Sequence, residues 1–288
     1  MTKAVINAKL LIVLTLLSLT LTIYVLNINN SGTGESGELF VLAPPVLQKP
    51  LDFVVRGFTE RYGVLVKTSY EPTGSLISKL RLSGRGDVLV TADHEFMQQA
   101  VEEGLVIDGS VRVLTYLIPA IIVPKNNPAN ITSLKDLTKP NLKIAIANPE
   151  ISPAGRYAVA ILVNAGIYEE VKDNIIVYAE SISKLASLVA LGAVDAAIGF
   201  HVMHYWYPNE TEIIWLQPQE IPEVACQLIG ITKYARSTEL SKKFVDFVVE
   251  SLERDGFWRS SGYITSIEEL RTYSLTDKVP EICLGAVK

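Results

Sequence analysis

Four stretches of this chain place small, hydroxyl or proline residues where an extended run gives way to a helical one. They are Ala43-Pro44-Pro45-Val46, Thr73-Gly74-Ser75, Pro153-Ala154-Gly155 and Ser181-Ile182-Ser183. The first N–H groups of a helix have no intrahelical acceptor and sit at the positive end of the helix dipole, so such starts bind anions without charged side chains. Prolines remove their own N–H and stiffen the turn, while Ala154 and Gly155 let a ligand come close to the backbone. One such loop would be read as a plain helix cap. Four of them, with mostly neutral donors, suit a compact and multiply charged anion better than a large organic ligand.

The elements that must position these loops follow from hydrophobic periodicity. Residues 38–43, 64–68 and 87–91 read as strands, each followed by an apolar 3.6-residue pattern. The same order restarts at residues 142–147, continues through strands at 174–178 and 195–200, and carries a helix over 184–191. Alternating strands and helices predict an α/β fold whose sheets are mainly parallel and covered on both faces. Residues 111–123 form a long β-rich run that suits a strand passing from one lobe to the other, and 224–232 would carry the chain back. Ligands of open α/β sheets sit at the carboxyl ends of strands, so two loops from each lobe would face one cleft.

A chain of 288 residues exceeds one ordinary core and fits two domains. The expected division is an N-terminal segment and tether over 1–37, a first lobe over 38–118, a second over 119–226, a return to the first over 227–265, and a tail over 266–288. The formal charge of −5 gives no electrostatic footprint for nucleic acid. Residues 10–26 are apolar apart from Thr and Ser and follow Lys3 and Lys9, which reads as an export segment. It is expected either to stay as a membrane anchor or to be cleaved, with the bulk of the chain outside the cytoplasm. Cys226 and Cys283 can form one disulfide there or remain two buried thiols, and spacing does not decide. The chain is expected to be a monomer.

Thr73-Gly74-Ser75-Leu76, the run from Gly86 to Asp93 with Met97 after it, Asn148-Pro149 with Pro153-Ala154-Gly155-Arg156-Tyr157, Ala179-Glu180-Ser181-Ile182, and Gly192 to Phe200 occur in one order across residues 38–263. On these motifs the sequence resembles the extracytoplasmic solute-binding proteins of ABC importers, and within them the molybdate/tungstate-binding branch. The resemblance implies a two-lobed periplasmic-binding-protein fold of type II with two crossing strands, a tetrahedral oxyanion held between the lobes, and delivery to an ABC transporter permease. It places oxyanion donors on Val46, Thr73, Ala154 and Ile182, with a further contact at Phe200 and support from Gly74, Ser75 and Gly155. The family pattern has a hydroxyl residue where Val46 stands and a tyrosine where Phe200 stands, so Ser75, Ser152, Ser181 or Ser183 would have to replace those donors.

Other classes leave weaker marks. His201-Val202-Met203-His204, with His94, admits a metal receptor, though no acidic ligand is fixed beside it. No His-Glu-x-x-His, phosphate-loop or Gly-x-Ser-x-Gly motif is present, and no nucleophile stands beside a base, so no catalytic residue, metal or cofactor is expected. A membrane-tethered ligand sensor would use the same site with another partner. Arg156 is read two ways, as a clamp on the ligand or as a solvated first-turn residue.

Overall fold

The computed structural model describes residues 37–284, so residues 1–36 of the expected anchor and tether (1–37) and residues 285–288 of the expected tail lie outside the described part. In chain order the first elements are β1 (Glu38–Ala43), α1 (Gln48–Tyr62), β2 (Leu65–Tyr70), α2 (Thr73–Ser83), β3 (Val88–Thr91), α3 (His94–Glu102) and β4 (Arg112–Leu117). There follow β5 (Pro119–Pro124), β6 (Ile144–Ala147), α4 (Pro153–Asn164), α5 (Tyr168–Val171), β7 (Ile175–Ala179), α6 (Ile182–Ala190), β8 (Ala196–Phe200), α7 (Val202–Trp206) and β9 (Thr211–Trp215). The chain then runs through β10 (Ala225–Ile231) into α8 (Thr238–Arg254).

Ten strands make two five-stranded sheets, ordered β2-β1-β3-β10-β4 and β7-β6-β8-β5-β9. In each, three strands run parallel and the last two pair antiparallel. The α/β two-lobed architecture is therefore present, with mixed sheets in which the long connecting strands supply the antiparallel half. The expected single strand over 111–123 is two strands, broken at Ile118, where the chain leaves the first sheet for the second. The break has a tertiary cause. The N–H of Ile118 donates to Nδ1 of His201 at 3.0 Å, and Nε2 of His201 lies 2.7 Å from the carbonyl oxygen of Gly262. Burial pushes the His201 imidazole down to about 4, so the neutral ring with its proton on Nε2 serves both contacts.

The central strands are apolar because both faces are covered. Val41, Leu42 and Ala43 of β1 and all of β8 are buried, as parallel strands under helices on two sides require. On α1, Leu51, Val54 and Phe58 recur at helical spacing and face inward, and Gly63 in the left-handed conformation (φ 69°) ends the helix. Phe58 meets Phe244 and Phe247 of α8 with ring centroids 5.1 and 5.3 Å apart. Truncating a core ring of this kind costs about 3–5 kcal/mol. The return helix is thereby fixed to the first lobe.

Cys226 and Cys283 are joined, with their Cα atoms 5.8 Å apart. The bond ties β10 to the tail. Tyr116 on β4 donates to the Cys283 carbonyl at 2.8 Å, the Val224 N–H donates to the Lys278 carbonyl at 3.0 Å, and Tyr273 packs on Trp215 with centroids 4.4 Å apart. Residues 266–284 thus lie over both connections between the sheets.

Candidate oxyanion site

A small cavity of about 80 Å³ lies between the two sheets, and all four helix starts reach it. From the first lobe come Pro44, Pro45 and Val46, then Pro72 and Thr73; from the second come Ser152 and Pro153, then Ser181, Ile182 and Ser183. The first group lies on a 3-10 turn (Pro45–Leu47) leading into α1, and the others open α2, α4 and α6. Three of these starts have no side-chain cap. At the fourth, Ser181 caps the N–H of Lys184 at 3.2 Å, and the N–H groups of Ile182 and Ser183 precede it without an intrahelical acceptor. Uncapped first turns around one small cavity have the chemistry to serve as a donor shell for a compact anion.

Side chains complete the shell. The oxygen of Thr73 accepts from the N–H of Ala92 at 3.1 Å, which occupies a lone pair and leaves the hydroxyl proton to donate. Ser152 is buried and is the N-cap of α4, yet its hydroxyl does not cap that helix. Tyr263 donates to the Val46 carbonyl and fixes the first loop from behind. Burial raises the Tyr263 phenol, which holds its proton on that bond. No Lys or Arg borders the cavity, and its one carboxylate, Glu180, is solvent-exposed.

Of the residues expected at the site, Val46, Thr73 and Ile182 border the cavity. Ala154 is buried directly behind Pro153, in the first turn of α4, where its N–H has no intrahelical acceptor. Gly74, Ser75, Gly155 and Phe200 do not border it. Gly155 is nevertheless demanded by the packing of α4 against the end of β6. A Cβ there would stand 2.2 Å from the carbonyl oxygen of Ala147 and 2.6 Å from the nitrogen of Pro149. Phe200 ends β8 with its ring edge-on to Tyr157, centroids 5.5 Å apart, and is buried without bordering the cavity. Ala92 and Phe96 line the cavity without having been expected. Their signal was available, since they follow β3 and the carboxyl end of any strand in such a sheet is a candidate loop.

Arg156 neither enters the cavity nor points to solvent alone. Its Nη2 lies 3.1 Å from Oδ2 of Asp93 and 2.7 Å from Oε2 of Glu95, both at the start of α3. Burial pushes the Asp93 carboxyl up to about 6, against the Phe96 N–H and the Arg156 guanidinium that pull it down. The histidines are engaged elsewhere: His201 with main chain, His204 with Thr211 at 3.1 Å, and His94 with Glu223 at 3.4 Å. With the cysteines paired, no group of three metal-ligating side chains converges among the described residues.

Two like α/β lobes around an interlobe cavity are the architecture of a two-lobed solute-binding protein. A sequence model of the bacterial extracellular solute-binding protein family matches residues 39–264, and the chain belongs to that family. It is 26% identical over 233 residues to the molybdate-binding protein ModA of Rhodobacter capsulatus, an alignment covering 80% of this chain and 89% of that one. The fold is similar to the periplasmic molybdate-binding protein of Azotobacter vinelandii, with a TM-score of 0.66 and 19% identity over 79% of this chain and 99% of that one. It is also similar to the sulfate-binding protein SubI of Mycobacterium tuberculosis, with a TM-score of 0.68 and 13% identity over 84% and 93%. The family comprises transport proteins that bind solutes and are not enzymes.

Proposed function

We propose that this chain is the extracytoplasmic receptor of an ABC importer for a tetrahedral oxyanion of molybdate or tungstate type, which it delivers to the permease. The observation that carries the reading is the convergence of four helix starts, two from each lobe, on one cavity of about 80 Å³. That volume is well below the roughly 300–1,000 Å³ of sites for organic ligands and suits an inorganic ion. The donors are the main-chain N–H groups of Val46, Ala154, Ile182 and Ser183 and the hydroxyls of Thr73 and Ser152. Gly74 and Ser75 lend the first-turn dipole of α2, and Gly155 permits the close approach of α4 to β6. Phe200 packs outside the donor shell. The molybdate-binding relatives support the choice of ion, and the sulfate-binding neighbour marks its nearest competitor. Residues 10–26 hold the protein at the outer face of the membrane or are cleaved on export, and it works there as a monomer.

Calorimetry of the purified protein against molybdate, tungstate, sulfate and phosphate tests this. One molybdate or tungstate per chain is expected, bound more tightly than sulfate or phosphate, with a rise in thermal stability by mass action. Preference for sulfate would reassign the ion. Absence of heat with all four would remove the oxyanion reading.

A further inference from the structure

Arg156 follows the Pro153-Ala154-Gly155 turn on α4, in the second lobe, yet its partners lie on α3 in the first. The guanidinium reaches Asp93 and Glu95 and lies over the ring of Phe96, 5.7 Å from its centroid, while that ring lines the anion cavity. Asp93 is 1% exposed and is itself the N-cap of α3, accepting the Phe96 N–H at 3.2 Å. A second tie runs beside the first. Tyr157, the next residue of α4, donates to Glu223 at 3.1 Å, and Glu223 faces His94 at 3.4 Å. Any opening that draws α4 away from α3 must break the Arg156 pairs. A guanidinium already shared by two carboxylates belongs to a cluster of net negative charge, which gives an anion no reason to approach it.

We infer that Arg156 is a positioning residue that sets the balance between open and closed cleft, holding α4 against α3 through Asp93 and Glu95 without touching the ligand. The inference rests on the reading of the cavity as the ligand site. A receptor whose closed form is sparsely populated loses affinity in proportion to that population, so a latch between the lobes is part of the binding constant. Oxyanion donors then need only hold what the latch has already assembled.

The test uses Arg156→Gln, Asp93→Asn, their double variant and, since Asp93 also caps a helix, the exposed Glu95→Gln as a variant that leaves the cap intact. Two readouts are taken: the radius of gyration of the ligand-free protein by X-ray scattering, and molybdate affinity by calorimetry. Arg156→Gln is expected to expand the ligand-free protein, to leave the molybdate-saturated form as compact as the parent, and to weaken molybdate about tenfold. Glu95→Gln should do the same to a smaller degree, and the double variant should be no weaker than Arg156→Gln alone. An unchanged ligand-free radius with weaker binding that adds to Asp93→Asn would make Arg156 a ligand contact and overturn the inference. Unchanged radius and affinity would overturn it as well. If molybdate binds none of the proteins, the functional reading fails, while the scattering of the ligand-free forms still decides the latch by itself.

Discussion

The two lobes share one strand order and each brings two helix starts to the cavity, but they hold those starts by different means. In the second lobe, beside the Ser181 cap on the Lys184 N–H, the wall is fixed mostly by main chain. The N–H of Asn148 donates to the Ala179 carbonyl at 2.8 Å, that of Ser152 to the Asn148 carbonyl at 2.9 Å, and α4 presses on the end of β6 so closely that Gly155 has no room for a methyl group. In the first lobe main-chain bonds such as the Glu71 N–H to the Ala43 carbonyl at 3.2 Å are joined by three side-chain ties: Tyr263 on the Val46 carbonyl, Thr73 on the Ala92 N–H, and Asp93 on the Phe96 N–H. A wall built mainly on backbone contacts leaves little room for a change in residue size, as at Gly155. A wall held mainly by side chains can be tuned one bond at a time.

Substitution at the matching glycines tests this contrast most severely. Gly155→Ala is expected to push α4 off β6 and to cut oxyanion affinity by at least about a hundredfold, whereas Gly74→Ala, whose Cβ would meet only the Phe96 ring at 3.7 Å, should change it less than about twofold. Titration of both variants measures this, and equal losses would break the comparison. Next in size is Thr73→Val. It deletes a donor to a charged ligand and strands the Ala92 N–H, so affinity should fall by about one to two decades while Thr73→Ser recovers most of it. A smaller effect is expected from Tyr263→Phe, which frees the Val46 carbonyl; the loss of one neutral hydrogen bond should cost about 1 kcal/mol of stability in denaturant unfolding and a few-fold in affinity. Least of all should come from Phe200→Tyr. Its ring is buried against Tyr157, so a restored phenol should leave affinity within about twofold; a clear gain would mean that the second lobe, too, takes a side-chain donor.

What was legible in the chain follows the range of the forces involved. β1 runs over the expected residues 38–43, because a strand buried on both faces must be apolar throughout and Pro44-Pro45 stops it. α4 begins at Pro153, four residues before its apolar pattern, because Pro suits the first helical position although the hydrophobic repeat starts only at Tyr157. β9 was not legible: Thr-Glu-Ile-Ile-Trp lies at a sheet edge and is only partly buried, so it lacks both the length and the pattern of a strand. At the site, the four loops could be found because Pro, Gly, Ser and Thr at a helix start declare themselves locally. The partners of Arg156 could not, since Asp93 is 63 positions away and only the meeting of two lobes brings it near. The pairing of Cys226 with Cys283 was open for the same reason and is settled by the packing of the tail on β10 and β4.

That tail has a mechanical meaning. The family match ends at residue 264, and what this chain adds beyond it crosses the two ribbons on which the lobes must pivot. A joint with a bolted splint turns about fewer axes than a bare one, and the tail is expected to restrict the relative motion of the lobes. The bolt closes a loop with a sequence separation of 57, worth about 4 kcal/mol in the chain-entropy treatment. Breaking it should therefore lower the melting temperature and loosen the pivot together: in the Cys226→Ser/Cys283→Ser variant, hydrogen exchange should quicken at Ile118 and Val224 ahead of the strands in either sheet.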